Sequence, residues 1–182
     1  MKINSPLLNS FFHNTFAACT LILLMTNPVN AEGVSVQSFG HSSLLIKGGG
    51  KSILLNPFKA VGCAKGLTEQ NLDVDIILAS SDLPDEGART SKGIFFVEPG
   101  AYKVDGFKID GFKSPHDRLG GRRYGFATLW KWTQGGLNFV HLGGSASPLS
   151  DEHELLLGRP DILIIAVGGG EKVYNGREAA SV

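Results

Sequence analysis

Val-Asp-Ile-Ile-Leu-Ala-Ser-Ser-Asp-Leu-Pro-Asp-Glu-Gly, residues 74–87, is the stretch that decides the fold of this chain. Its apolar run from Ile76 to Ala79 predicts a buried strand. The run ends in a polar turn that contains Pro84 and Gly87. Because sites in α/β folds lie just beyond the carboxyl ends of strands, we expect the chemistry of the chain to lie in this turn.

Composition indicates one globular domain with a neutral surface. The chain has 182 residues, of which 42% are hydrophobic and 19% are charged, and its formal net charge is zero. A neutral chain offers no basic surface for a polyanion, so we expect no nucleic-acid partner. The two cysteines, Cys19 and Cys63, are too few for a disulfide framework.

Residues 1–31 have the pattern of a cleavable signal peptide. Lys2 provides the positive end, Phe16 to Met25 is a short apolar run, and Val29-Asn30-Ala31 fits a small-x-small cleavage site. We therefore predict cleavage after Ala31, an exported protein without a stable membrane span, and one domain over residues 32–182. An uncleaved membrane anchor is the alternative.

The rest of the chain predicts many short strands joined in hairpins, with few helices. Glycine-containing turns at residues 48–51, 105–106 and 134–136 indicate three hairpins. The continuous apolar run at residues 161–167 predicts a second fully buried strand, and residues 113–123 predict a polar loop. Short helices are expected to begin at Thr68, at Ser150 and at Arg177. The strands are predicted at residues 34–39, 43–47, 52–55, 76–79, 93–98, 102–104, 107–109, 126–133, 137–141 and 161–167.

Seven stretches, in order along the chain, form one pattern: residues 39–43 (Phe-Gly-His-Ser-Ser), 53–58 (Ile-Leu-Leu-Asn-Pro-Phe), 75–87, 115–117 (Pro-His-Asp), 141–144 (His-Leu-Gly-Gly), 161–170 and 178–180 (Glu-Ala-Ala). Together they resemble the metallo-β-lactamase superfamily, in the branch of ascorbate-lactone hydrolases and similar Zn-dependent hydrolases. The resemblance implies an α/β fold, the αββα sandwich. In this family a further strand and helix, and a loop with a last histidine, would follow Val182. We therefore expect an incomplete domain whose open sheet edge invites self-association.

The resemblance also implies that most metal ligands of the family are missing. The family's loop reads Thr-His-x-His-x-Asp-His, and here Ser81, Leu83 and Glu86 stand at its three histidine positions, so that only Asp85 is kept. His116 falls where the family places another metal-binding histidine, and Gly144 replaces the bridging aspartate. Two zinc ions need several histidine and carboxylate ligands. We therefore expect no di-zinc site.

A single divalent metal remains an alternative. Asp82, Asp85, Glu86 and His116 offer mainly oxygen ligands, which suit Mg²⁺, Ca²⁺ or Mn²⁺ better than zinc. The opposing interpretation is that these acids are solvated turn residues. His116 would then be an exposed loop histidine beside solvated charges, and not a metal ligand or a general base.

A basic loop follows His116. Arg118, Arg122 and Arg123 predict an anion-binding site, because guanidinium groups match carboxylate and phosphate. The alternative is a solvated turn.

Two functions follow from these observations. The first is an exported, degenerate member that has lost di-zinc hydrolysis and acts as a binding or structural module, with a small molecule as candidate ligand. The second is a metal-dependent hydrolase of esters, lactones or phosphoesters with an altered, single-metal site. The sequence identifies no catalytic residue for it.

Overall fold

Two five-stranded sheets form the part of the chain that the computed structural model describes, residues 33–182. The predicted signal peptide lies outside these residues. The first sheet has the order β1-β2-β3-β4-β5 and the second β10-β9-β8-β7-β6. The strands are β1 Ser35–Gly40, β2 Ser43–Gly48, β3 Lys51–Leu55, β4 Asp73–Leu78, β5 Lys92–Phe96, β6 Gly100–Val104, β7 Phe107–Pro115, β8 Phe126–Gln134, β9 Leu137–His141 and β10 Ile162–Ile164.

The main hydrophobic core lies between the sheets. Ile53, Ile76 and Leu78 of the first sheet are fully buried in one cluster with Trp130 and Phe139 of the second. Two sheets that bury their facing sides against each other are a sandwich. Both sheets are mixed, because β3, β4 and β5 run parallel in the first and β9 and β10 run parallel in the second. The predicted metallo-β-lactamase-like sandwich is confirmed.

The predicted central strand is confirmed as β4, which ends at the site described below. Its residues Ile76, Ile77 and Leu78 are buried on both faces of the sheet. Trp130 of β8 donates a 3.0 Å hydrogen bond from Nε1 to the backbone oxygen of Ala79, directly after β4. This bond ties the end of β4 to the opposite sheet, so the turn that follows starts from a fixed point.

The three predicted hairpins are also confirmed. Asp105 and Gly106 have φ values of 49° and 86°, as a two-residue turn with positive φ at both positions requires. Gly49 and Gly50 adopt the same region between β2 and β3.

Three predictions about elements are wrong. The run 161–167 forms only the three-residue strand β10, at the edge of its sheet, where Ile162 and Leu163 are 37% and 39% exposed. The predicted polar loop begins later, since β7 continues to Pro115 by pairing with β8. No helix begins at Thr68, because the chain from there to β4 has no regular secondary structure, and a single 3₁₀ turn lies earlier, at Gly62–Ala64.

The helices α1 (Asp151–Leu157) and α2 (Gly176–Ala179) contribute Leu157 and Ala179 to a cluster on the outer face of the second sheet. Ser150 caps α1 as predicted, accepting a hydrogen bond from the backbone N–H of His153. Neither helix of residues 33–182 has the length and apolar character needed to cross a membrane.

Candidate functional site

The turn after β4 folds back on itself and buries two acidic residues, Asp85 and Glu86. The backbone N–H groups of Glu86 and Gly87 both donate to the Leu83 carbonyl, at 2.9 and 2.7 Å. A Cβ atom at Gly87 would lie 1.9 Å from the Ser81 oxygen, so this tight return requires glycine. Asp85 and Glu86 are buried as a result.

Glu86 is the centre of the site. Glu86 is 2% exposed, and its Oε2 atom lies 3.0 Å from His116 Nε2. The hydroxyl groups of Ser80 and Ser81 donate to the same oxygen at 3.3 and 3.2 Å. On the other oxygen, Oε1, Lys172 Nζ lies at 3.2 Å. Both carboxylate oxygens are therefore held by groups of the chain itself.

Lys172 joins the two acids. Its Nζ atom lies 3.1 Å from Asp85 Oδ2 in addition to its contact with Glu86. It also lies 5.6 Å from the ring centroid of Tyr124, within the range of a cation–π contact. The lysine side chain is 18% exposed, so most of it is out of water.

Two histidines flank the acids. His116 is fully buried, and backbone hydrogen bonds to Gly125 and from Ala146 fix its position. His41 is exposed and has a φ of 52°, which places it in the turn between β1 and β2. One ligand atom from each of His41, Asp85 and Glu86 lies within 4.8 Å of the others. The cluster therefore combines nitrogen and oxygen donors around one point.

Gly144 lies directly against the Glu86 carboxylate. A Cβ atom at position 144 would lie 2.5 Å from Glu86 Oε2 and 2.7 Å from Oε1. Any side chain there would collide with the carboxylate. Glu86 thus fills the space that a residue with a side chain at position 144 would need.

The ionisation of these groups follows from their contacts. Burial raises the pKa of Glu86, but the hydrogen bond and charge of His116 and the ammonium of Lys172 outweigh it and lower that pKa to about 2. Burial lowers the pKa of Lys172, but the Glu86 and Asp85 carboxylates outweigh it and raise that pKa. Glu86 and Lys172 therefore form an ion pair at neutral pH.

The structure brings together Asp85, Glu86 and His116 of the predicted metal site and leaves Asp82 outside. Asp82 is exposed and lines a different cleft, beside Val97 and Phe126. Leu83, at one of the histidine positions, has no ligand atom. Three of the four residues of the predicted metal site therefore lie together, with His41 and Lys172 beside them, and metal binding by these residues stays a prediction.

The three arginines of the predicted anion site bind groups of the chain. Arg118 donates to both carboxylate oxygens of Glu178 and to the backbone oxygens of Gly170 and Val173. Arg123 pairs with Glu171. These contacts favour the structural interpretation of the loop over an open anion site, although anion binding itself stays a prediction.

Arg122 and Asp117 keep the basic loop folded. Arg122 donates from Nε to the Leu119 carbonyl at 3.3 Å. Asp117 accepts backbone N–H groups of Leu119, Gly121, Arg123 and Tyr124 at 2.8 to 3.0 Å. Burial opposes the ionisation of Asp117, but these four donors outweigh it and lower its pKa.

A cleft of about 640 Å³ opens above Glu86. Ile165, Ala166 and Val167 form an apolar part of its wall. The polar lining includes His41, Ser42, Cys63, Tyr124 and Lys172. Its volume is within the range of small-molecule sites.

Most of the chain matches one known protein family. A family model described as a beta-lactamase superfamily domain matches residues 35–182. The chain belongs to this superfamily. No curated protein sequence gives a significant match.

Several solved structures share the fold of this chain. A protein of Thermotoga maritima, assigned as a Zn-dependent hydrolase of the superfamily, is 23% identical, with a TM-score of 0.65 over 82% of this chain and 69% of its own. A protein of Parabacteroides distasonis, assigned as a metal-dependent hydrolase, is 15% identical, with a TM-score of 0.61 over 82% and 76%.

An isothiocyanate hydrolase from Delia radicum gut bacteria is 14% identical, with a TM-score of 0.58 over 80% of this chain and 78% of its own. At these identities the likeness shows the fold alone.

The residues of this superfamily member do not fit a di-zinc centre. Ser81 and Leu83 offer no imidazole, and Gly144 offers no carboxylate. Glu86 is held by two hydroxyl groups, one imidazole and one ammonium, so its lone pairs are not free for a metal. The ammonium of Lys172 also places a positive charge where a metal ion would be repelled by it.

Two residues of the site, Lys172 and His41, were not among the predicted site residues. Lys172 follows the glycines 168–170 by two residues, and a lysine after a turn is normally solvated. It reaches Asp85 across 87 positions of sequence, which no local pattern indicates. His41 had a signal in its Gly-His-Ser turn, but the position alone favoured a structural histidine.

Proposed function

We propose that this superfamily member has lost di-zinc hydrolysis and binds a small molecule in the cleft above Glu86. The observation that carries the proposal is that the Glu86 carboxylate fills the space beside Gly144 while hydrogen bonds hold both of its oxygens. A carboxylate used in this way stabilises the site and leaves no ligand set for two metals. The cleft above it remains open and has the volume of a ligand site.

The lining of the cleft suggests the class of ligand. Ile165, Ala166 and Val167 offer apolar contact, while Ser42 and Tyr124 offer hydroxyl groups. An apolar wall with a few hydrogen-bonding groups is typical of sites for small organic molecules. We expect a ligand with an apolar body against these three residues and a polar end directed toward Ser42 and Tyr124.

The first test measures metal content and hydrolysis together. The purified protein, loaded with Zn²⁺ or Mn²⁺ and then desalted, should retain far less than one metal ion per chain in elemental analysis. Hydrolysis of ester, lactone and phosphoester substrates should not exceed that of His116→Ala. Stoichiometric metal with hydrolysis that His116→Ala abolishes would overturn the proposal.

The binding half of the proposal has its own test. A small-molecule library is screened by thermal shift, and hits are confirmed by isothermal titration calorimetry. Ala166→Trp fills the cleft and should abolish binding of the hits. Ala101→Trp makes the same change on the exposed strand β6 and should preserve it. Hits that bind equally to both variants would contradict a ligand site in this cleft.

A metal-dependent hydrolase with a single-metal site is the second candidate. It is favoured by one observation, the approach of ligand atoms of His41, Asp85 and Glu86 to within 4.8 Å. For this function Lys172 would have to leave its two carboxylates before a metal enters. The metal and hydrolysis assays above distinguish the two candidates.

We propose further that the protein is exported, on the evidence of the signal-peptide pattern in residues 1–31. Expression of the full chain in a bacterial host, followed by N-terminal sequencing of the exported form, should give Glu32 as the first residue. An intact N-terminus in a membrane fraction would support an uncleaved anchor instead.

A further inference from the structure

We infer that Lys172 is a built-in cation that takes the place of a metal ion in this site and excludes divalent metals from it. The inference rests on the proposed loss of the di-zinc centre and adds its physical cause. It also adds a consequence, which is that removing one side chain should turn the site into a single-metal site.

The position of the ammonium supports this inference. Lys172 Nζ lies 3.1 Å from Asp85 Oδ2 and 3.2 Å from Glu86 Oε1, so that it bridges two buried carboxylates. Buried carboxylates require a compensating positive charge, and either an ammonium or a metal ion can supply it. An ammonium on this bridge and a metal bound to the same oxygens exclude each other.

The chain around Lys172 is built to hold the ammonium there. Glu171, the residue before it, accepts hydrogen bonds from the Tyr124 hydroxyl and from Arg123. Arg118 donates to the backbone oxygens of Gly170 and Val173, on the two sides of the lysine. The basic loop thus acts as a clamp on the lysine loop, defined here as residues 168–173.

The groups that remain without the lysine suit one divalent ion. Asp85 and Glu86 would provide carboxylate oxygens, and His41 has a ring nitrogen within 4.8 Å of both. His116, at 3.0 Å from Glu86, orients that carboxylate from behind as a second-layer partner. Mixed nitrogen and oxygen donors suit Zn²⁺ and Mn²⁺.

The test compares metal binding by the full-length wild type, Lys172→Ala and Lys172→Met. Zn²⁺ and Mn²⁺ are the probes, titrated by calorimetry and checked by elemental analysis after desalting. Both variants should gain close to one ion per chain and a rise in melting temperature with added metal, whereas the wild type gains neither. Lys103→Ala, at an exposed position of β6, should behave like the wild type.

Second substitutions identify the ligands. Glu86→Gln or Asp85→Asn, introduced with Lys172→Ala, should remove the gained metal. Folded Lys172 variants that bind no metal would overturn the inference while leaving the proposed function intact. Stoichiometric metal bound by the wild type would overturn the inference, and it would overturn the proposed function as well if that metal supports hydrolysis that His116→Ala abolishes.

Poor folding of the variants is also informative. Lys172→Met keeps an apolar stem in the space of the lysine, which makes it the safer of the two changes. If both variants unfold, the inference requires that Zn²⁺ or Mn²⁺ present during refolding rescues them. Failure of this rescue would overturn the inference.

Discussion

Gly144 and Glu86 share one small volume, which links two departures from the superfamily's metal motif. A side chain at position 144 and a carboxylate at position 86 cannot coexist, because a Cβ atom at Gly144 would lie 2.5 Å from Glu86 Oε2. Restoring the aspartate of the family at position 144 without removing Glu86 would therefore create a clash and not a metal site.

Gly144→Ala should destabilise the protein by about 1–3 kcal/mol, as overpacking of a filled site does. The same change should cost much less in a Glu86→Ala background, because the colliding carboxylate is gone. Denaturant unfolding of the four proteins measures the coupling. Gly176→Ala is a control, since a Cβ atom there meets no atom within 4 Å. Equal costs in both backgrounds would contradict the shared volume.

His141 predicts a pH dependence of stability that is separate from the site. It is fully buried, and within residues 33–182 neither ring nitrogen has a hydrogen-bond partner. Burial lowers its pKa from 6.5 to about 4, against the opposing influences of the Ile164 carbonyl and the Glu86 carboxylate. Between pH 6.5 and about 4, the unfolded chain therefore binds a proton at His141 that the folded chain does not bind.

The contribution of neutral His141 to the free energy of unfolding should therefore be fully present above pH 6.5. As the pH drops to 4, the free energy of unfolding should fall by about 3 kcal/mol. Glu86 loses its own contribution only below its unfolded pKa of 4.5, toward pH 2, so the two windows are largely separate. His141→Leu removes the titrating group. Denaturation midpoints measured across the window should lose most of their pH dependence in this variant, and an unchanged slope would assign it to other groups.

At the scale of elements, the sequence predicts those features that depend on residues close together in the chain. The strand β4, the cap of α1 and the hairpin at Asp105 and Gly106 follow from periodicity, capping and positive-φ turns, and all are confirmed. The run 161–167 was predicted to be buried because apolar composition does not distinguish a central strand from an edge strand. The site was predictable only in part. Asp85 and Glu86 lie in one turn and were predicted together, but Lys172 comes from a loop far away in the sequence, which no local pattern indicates.

The clamp on the lysine loop is an element-scale feature that can be tested directly. Arg118→Ala removes the bonds to Glu178, Gly170 and Val173, whereas the bond that Arg122→Ala removes among residues 33–182 lies within its own loop. Because half-exposed pairs contribute up to about 1 kcal/mol, amide exchange in residues 168–175 should accelerate up to about fivefold in Arg118→Ala. The Gly169 amide, bonded to the Tyr174 carbonyl, is the reporter.

Hydrogen-exchange mass spectrometry of both variants makes this comparison on the folded protein. Arg122→Ala should leave the exchange of residues 168–175 unchanged. Equal acceleration by the two substitutions would show that the basic loop acts through its general charge. No acceleration in Arg118→Ala would show that the lysine loop is held by other contacts.

For the whole molecule, the two sheets differ in what their outer strands present. The edge strand β10 exposes Ile162 and Leu163, and Leu155 of the nearby α1 is 82% exposed. The edge strand β1 presents mainly polar residues, among them Ser35, Gln37 and Ser38. An apolar edge with free backbone groups favours pairing with a second copy, and a polar edge does not.

We therefore predict self-association through β10 in this chain. Light scattering after gel filtration should show a concentration-dependent dimer, and Leu163→Lys should shift it to monomer, because a charge on an edge strand opposes pairing. Val36→Lys makes the same change on β1, where Val36 is 55% exposed, and should leave the dimer intact. A monomer at all concentrations would contradict self-association through β10. Equal effects of the two substitutions would show that association depends on net charge and not on this edge strand.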